Sequence, residues 1–68
     1  GGNIYIADDA NKAIRKYDPK TRQVSTVLGR GFGDSKIQLE RPHGVRWHSG
    51  HLYVVDTGHN RILRVLLK

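Results

Sequence analysis

Gly2-Asn3-Ile4-Tyr5-Ile6-Ala7-Asp8 and Gly50-His51-Leu52-Tyr53-Val54-Val55-Asp56 are two copies of one pattern, offset by 48 residues, with Gly, Tyr and Asp in identical places. The match continues: Asn11–Tyr17 falls on His59–Val65, which brings Ile14 onto Ile62 and Lys16 onto Arg64. A period of this length marks a repeat architecture, in which each unit buries its faces against its neighbours. The sequence between the copies occurs once, so the chain holds one full period and the first part of a second.

Local patterning reads as β throughout. Residues 4–7 and 52–55 are short apolar or aromatic runs, each preceded by Gly and followed by Asp and turn residues, too short for helices and rich in β-formers. Their unbroken apolar character predicts burial on both sheet faces. Residues 13–17 and 61–67 follow at hairpin distance, and 23–28 alternates as a more exposed strand. Asp18-Pro19-Lys20-Thr21 is a turn with proline presetting φ at its second position, and Ser49-Gly50 is a two-residue hairpin turn after a strand at 44–48. Residues 29–43, with three glycines and a proline, form a long connection. No segment reads as a helix. The expected class is all-β, with short antiparallel strands and a period of 40–50 residues pointing to the blades of a β-propeller.

Sixty-eight residues without cysteine are few for a self-sufficient core. The absence of cysteine removes a disulfide framework, a thiolate zinc site and a cysteine nucleophile. No run approaches a membrane span and none has the layout of a signal peptide, so a soluble chain is expected. With no methionine, Gly1 reads as the start of a processed chain or a fragment. Missing burial is expected to come from other blades, either the rest of a larger propeller or identical chains that complete blades by oligomerising.

The pattern Gly-x-Ile/Leu-Tyr-Ile/Val-x-Asp, a turn, then Ile-x-Lys/Arg resembles the NHL repeat. Pro42-His43-Gly44-Val45, Gly50–Gly58 and Arg61-Ile62 stand where that family places its inner, second and third strands; the order His59-Asn60 is the reverse of the usual one. The resemblance implies a phase. Residues 1–28 would hold the second, third and outer strands of one blade, 29–43 the interblade connection, and 44–68 the inner, second and third strands of the next. It implies little about function, because NHL propellers include RNA-binding, protein-binding and enzyme domains.

Few residues offer chemistry. Asp8 and Asp56 form a repeated carboxylate pair, but their equivalence under the repeat favours structural turn carboxylates that accept backbone N–H groups over an acid–base couple. His43 follows Pro42 as does a zinc-site histidine in the amidating-lyase propellers, which the pattern also resembles; by that resemblance His43 is the metal candidate, with zinc or calcium in a complete propeller. No HxxxH or HExxH spacing supplies a second ligand, and a channel-lining histidine is the simpler reading. His48 and His51 flank a turn and are expected to be exposed, and His59 to be structural. Trp47, Tyr5 and Tyr53 are expected to pack in the core or between blades. Gly29-Arg30-Gly31-Phe32-Gly33 lacks the following helix of a phosphate loop and reads as a flexible connection.

Net charge is +6, from 12 Lys+Arg against 6 Asp+Glu. Lys12, Arg15, Lys16, Lys20, Arg22 and Arg30 concentrate it, opposed in that stretch only by Asp18. An anion or nucleic-acid surface is one reading and a solvated blade rim the other. Three functions follow: a non-catalytic binding scaffold, favoured; a metal-dependent lyase or lactonase using His43; and an RNA-binding module using residues 12–30.

Overall fold

The computed structural model describes residues 2–33 and 37–66. Six strands form two three-stranded antiparallel sheets. In the first, β1 (Ile4–Asp8), β2 (Ala13–Asp18) and β3 (Gln23–Leu28) lie in chain order. In the second, β4 (Pro42–His48), β5 (His51–Asp56) and β6 (Arg61–Leu66) do the same. The all-β expectation is met. Among the described residues the one helical element is a three-residue 3-10 turn, Thr57–His59, between β5 and β6. No helix among the described residues is long and apolar enough to cross a membrane.

Turn chemistry explains the hairpins. Ser49 and Gly50 both have positive φ, as a tight hairpin with the native strand twist requires. At the β2–β3 turn the Lys20 amide donates to Asp18 Oδ1 at 2.9 Å, and the Arg22 amide donates to the Asp18 carbonyl at 2.7 Å. The β1–β2 and β5–β6 turns are the same turn by the repeat. Lys12 and Asn60 both take the left-handed conformation, and their amides donate to the carbonyls of Asp9 and Thr57. Asn tolerates that conformation better than most residues, so Asn60 suits its position in the turn.

β4 begins two residues earlier than the sequence pattern indicates. Pro42 already pairs with Asp56, and the register shifts between Pro42 and Gly44. Proline is accommodated because it is the strand's first residue, and an irregularity follows directly.

The two sheets pack face to face around Ile14, Leu28, Leu39, Leu52 and Val54. Tyr5 and Ala7 of β1, Val45 of β4, and Leu63 and Val65 of β6 close over this cluster. The end of the linker joins the core: Leu39 is buried and Ile37 packs against the cluster. Its start is also pinned. Gly29 pairs with Phe32, and a Cβ on Gly29 would collide with the Lys12 carbonyl oxygen.

Burial on both faces of β1 and β5 is not what the structure shows. Tyr5 and Ala7 face the core, whereas Ile4 and Ile6 point away from it and are 54% and 42% exposed. In β5, Leu52 and Val54 are buried but Val55 lies on the outer face. Strand alternation divides each apolar run between two faces, and within this chain only one of them has a partner sheet. Trp47 also departs from the core expectation, being 51% exposed. It pairs with Leu52 one residue before His48, at the hairpin end of β4, where it forms part of the rim.

Candidate functional site

Each repeated carboxylate closes a strand and collects donors. Asp8 accepts from the Asn11 amide at 3.3 Å, Asn11 Nδ2 at 2.9 Å and Arg15 Nε at 3.1 Å. Arg15 also reaches the Thr26 hydroxyl on β3. Asp56 accepts from the Arg41 amide at 2.9 Å, the Glu40 amide at 3.3 Å, and Arg61 Nη2 at 3.2 Å. His59 Nδ1 stands 2.9 Å from Asp56 Oδ2 and donates to it, since an ionised carboxylate only accepts. The residue three positions on, Asn11 or His59, performs one task in both copies, and an arginine of the next strand completes each cluster.

The clusters differ in burial and reach. The Asp8 side chain is 26% exposed and serves its own hairpin; that of Asp56 is 0% exposed and holds the linker. Burial alone would push the Asp56 carboxyl up, but the Arg41 amide, His59, the Glu40 amide and Arg61 outweigh it and hold it at about 2. Asp8 is also lowered, first by Asn11 and then, against some desolvation, by Arg15. Carboxylates held so firmly ionised are poor proton donors at neutral pH. Arg61 further ties the linker through the Gln38 carbonyl, and Thr57 donates its amide and hydroxyl to the Arg41 carbonyl.

His43 lies at the start of β4 beside the β1–β2 turn. Its Nε2 is 3.3 Å from Asp9 Oδ2, and Arg41 Nη2 approaches the same carboxylate at 3.8 Å. As a metal site within this chain the arrangement does not fit zinc or calcium. It offers two donors, the guanidinium opposes a cation at that carboxylate, and no group of three or more potential ligands occurs among the described residues. Asp9 lies 34 positions before His43, a separation that leaves no local sequence signal for the contact.

The six basic residues are not gathered on one face. Arg15 and Lys16 are consecutive in β2 and point to opposite sides of the sheet. Lys20 and Arg22 sit at the β2–β3 turn, at the other end of β2 from Lys12. Lys12 pairs with Glu40 at 3.4 Å. Lys12 and Arg30 share a cleft of about 430 Å³ with Glu40 and His59, where Glu40 offsets part of their charge. His48 is exposed; His51 is half-buried, with Nδ1 3.2 Å from the Ser49 carbonyl.

Two open apolar faces, the exposure expected of a chain whose blades lack neighbours, complete the surface. The outer face of the first sheet carries Ile4, Ile6 and Val24, and that of the second carries Val55, Ile62 and Leu66, with Ile62 71% exposed. In the registers, Ile4, Tyr17 and Val24 align across one sheet, and Gly44, Val55 and Ile62 across the other. The signal was present in the alternation within each apolar run.

Comparison with known proteins places these features. Residues 39–64 match the NHL repeat, which takes in the end of the linker from Leu39 onward, Asp56 and its partners. The chain is 40% identical to protein SUPPRESSOR OF QUENCHING 1, chloroplastic, of Arabidopsis thaliana, in an alignment that covers 90% of this chain and 6% of that protein. The chain thus spans a small fraction of its relative's length. No solved structure matches. With two antiparallel sheets closed by equivalent aspartates and a match to the NHL repeat on the second, the chain is similar to NHL-repeat proteins over that segment, and its architecture is compatible with partial blades of a β-propeller.

Proposed function

We propose that the chain is a propeller segment that serves as a protein-interaction scaffold and performs no catalysis of its own. The observation that supports this is the pair of open apolar sheet faces on opposite flanks of one closed core. Contiguous exposed apolar side chains mark surfaces that dock on other polypeptide. On this reading, residues 1–28 and 44–68 are portions of adjacent blades and 29–43 is the connection between them. Asp8 and Asp56 are the turn carboxylates that hold each hairpin and the linker in place.

A photo-crosslinking residue in place of Ile62 and, separately, in place of Lys20 tests the proposal. Protein adducts at position 62, with no nucleic-acid adduct at position 20, are the expected result. RNA adducts at position 20 whose yield falls steeply with salt would favour the RNA-binding alternative. Zinc or calcium near one ion per chain in elemental analysis, lost on His43→Ala, would favour the enzyme alternative.

A further inference from the structure

The contact already present inside the chain describes a partner for the open faces, given the scaffold reading above. Under the repeat, Tyr5, Ala7 and Ile14, which line the closed side of the first sheet, correspond to Tyr53, Val55 and Ile62. Val55 and Ile62 are cross-strand neighbours on the open side of the second sheet. In the other direction, Leu52 and Val54, which line the closed side of the second sheet, correspond to Ile4 and Ile6 on the open side of the first. Each open face is therefore the counterpart of the closed face on the other sheet.

We propose that a second copy of this chain docks the open face of its first sheet onto the open face of the second sheet, repeating the internal sheet-to-sheet contact head to tail. The departures from exact repetition are compatible with this. Arg15 stands where the second copy has Leu63, but it is paired with Asp8 at 3.1 Å and bonded to Thr26, so its charge is already met. The opposite arrangement, two second sheets meeting by twofold symmetry, is disfavoured by like charge. Arg46 and Arg64 flank Tyr53 on that face and would meet their own copies. A head-to-tail contact uses two different surfaces and so propagates into a ring or a filament.

Complementation of two blocked variants provides the test. Ile6→Glu blocks the first sheet's open face and Ile62→Glu the second's; Val24→Glu and Leu66→Glu are alternates on the same faces should either variant lose its far-ultraviolet β signal. In sedimentation, the unmodified chain is expected to form particles of more than two copies that grow with concentration. Each variant alone should sediment as one chain of 7.7 kDa, and their equal mixture as a species of twice that mass, because one intact face of each kind remains. An unmodified chain that stays monomeric from micromolar to millimolar concentration overturns the proposal, as does a mixture that stays monomeric or a single variant that dimerises alone. Adducts at position 62 to a different polypeptide, with a monomeric chain, would remove this inference and leave the scaffold reading standing; no protein adduct would remove that reading too.

Discussion

The backbone amide of Arg41 donates to the carboxylate of Asp56 at 2.9 Å, so the end of β5 is held against a linker 15 residues earlier in the chain. The Glu40 amide, His59 and Arg61 converge on the same group, which has no exposed surface of its own. The repeat's aspartate is therefore the joint between a hairpin and the segment that leads into its sheet.

Removing that joint should be costly. Asp56→Ala leaves buried donors without an acceptor and is expected to destabilise by about 3 kcal/mol or more. Asp8→Ala removes a half-buried cluster within one hairpin, and its effect should be clearly smaller. Urea unfolding of both variants under one set of conditions checks the order; equal midpoints would show that the linker contacts add nothing.

The same carboxylate predicts the response to acid. Its folded value is held at about 2 against 3.8 for the ordinary group, so folding favours the ionised form. A depressed folded value gives stability that is complete above the unfolded value and is lost as pH falls through the folded one. Roughly 2 kcal/mol should therefore disappear between about pH 4 and pH 2, with Asp8 adding in the same direction. Unfolding free energy measured across this range should fall with acid in the unmodified chain and much less in Asp56→Asn, which carries no titrating group there.

How much of this could be read from the sequence follows from range. Strand positions, the hairpin at Ser49-Gly50 and the repeat are local or periodic, and alternation displays them directly. The partners of Asp56 on the linker and of His43 at Asp9 are distant contacts without a spacing rule. The exposure of Ile4 and Ile6 depends on which face meets the second sheet, and a run apolar at every position does not say. The linker, rich in glycine, read as a flexible connection because nothing local shows that Leu39 reaches the core.

That burial gives a direct comparison with Trp47. Leu39 is enclosed by the cluster both sheets share, so Leu39→Ala should cost about 2–5 kcal/mol. Trp47→Ala removes a larger side chain that is half exposed at the rim and should cost less, despite the greater volume lost. Thermal melts of the two variants decide the matter. A larger drop for Trp47→Ala would mean that the rim, and not the linker, anchors the second sheet.

Gly29 and Gly31 separate two reasons for glycine at positive φ. Their φ values are nearly equal, 85° and 86°, so alanine at either meets the same backbone penalty, about 1 kcal/mol. Only at Gly29 would the added Cβ also collide with the Lys12 carbonyl and press on Leu39, while at Gly31 nothing lies within 4 Å. Gly31→Ala should therefore shift the unfolding midpoint modestly, and Gly29→Ala should lower it much further by forcing the linker away from the β1–β2 turn. Matching midpoints for the two variants would mean that the linker relaxes without cost, contradicting its place in the core.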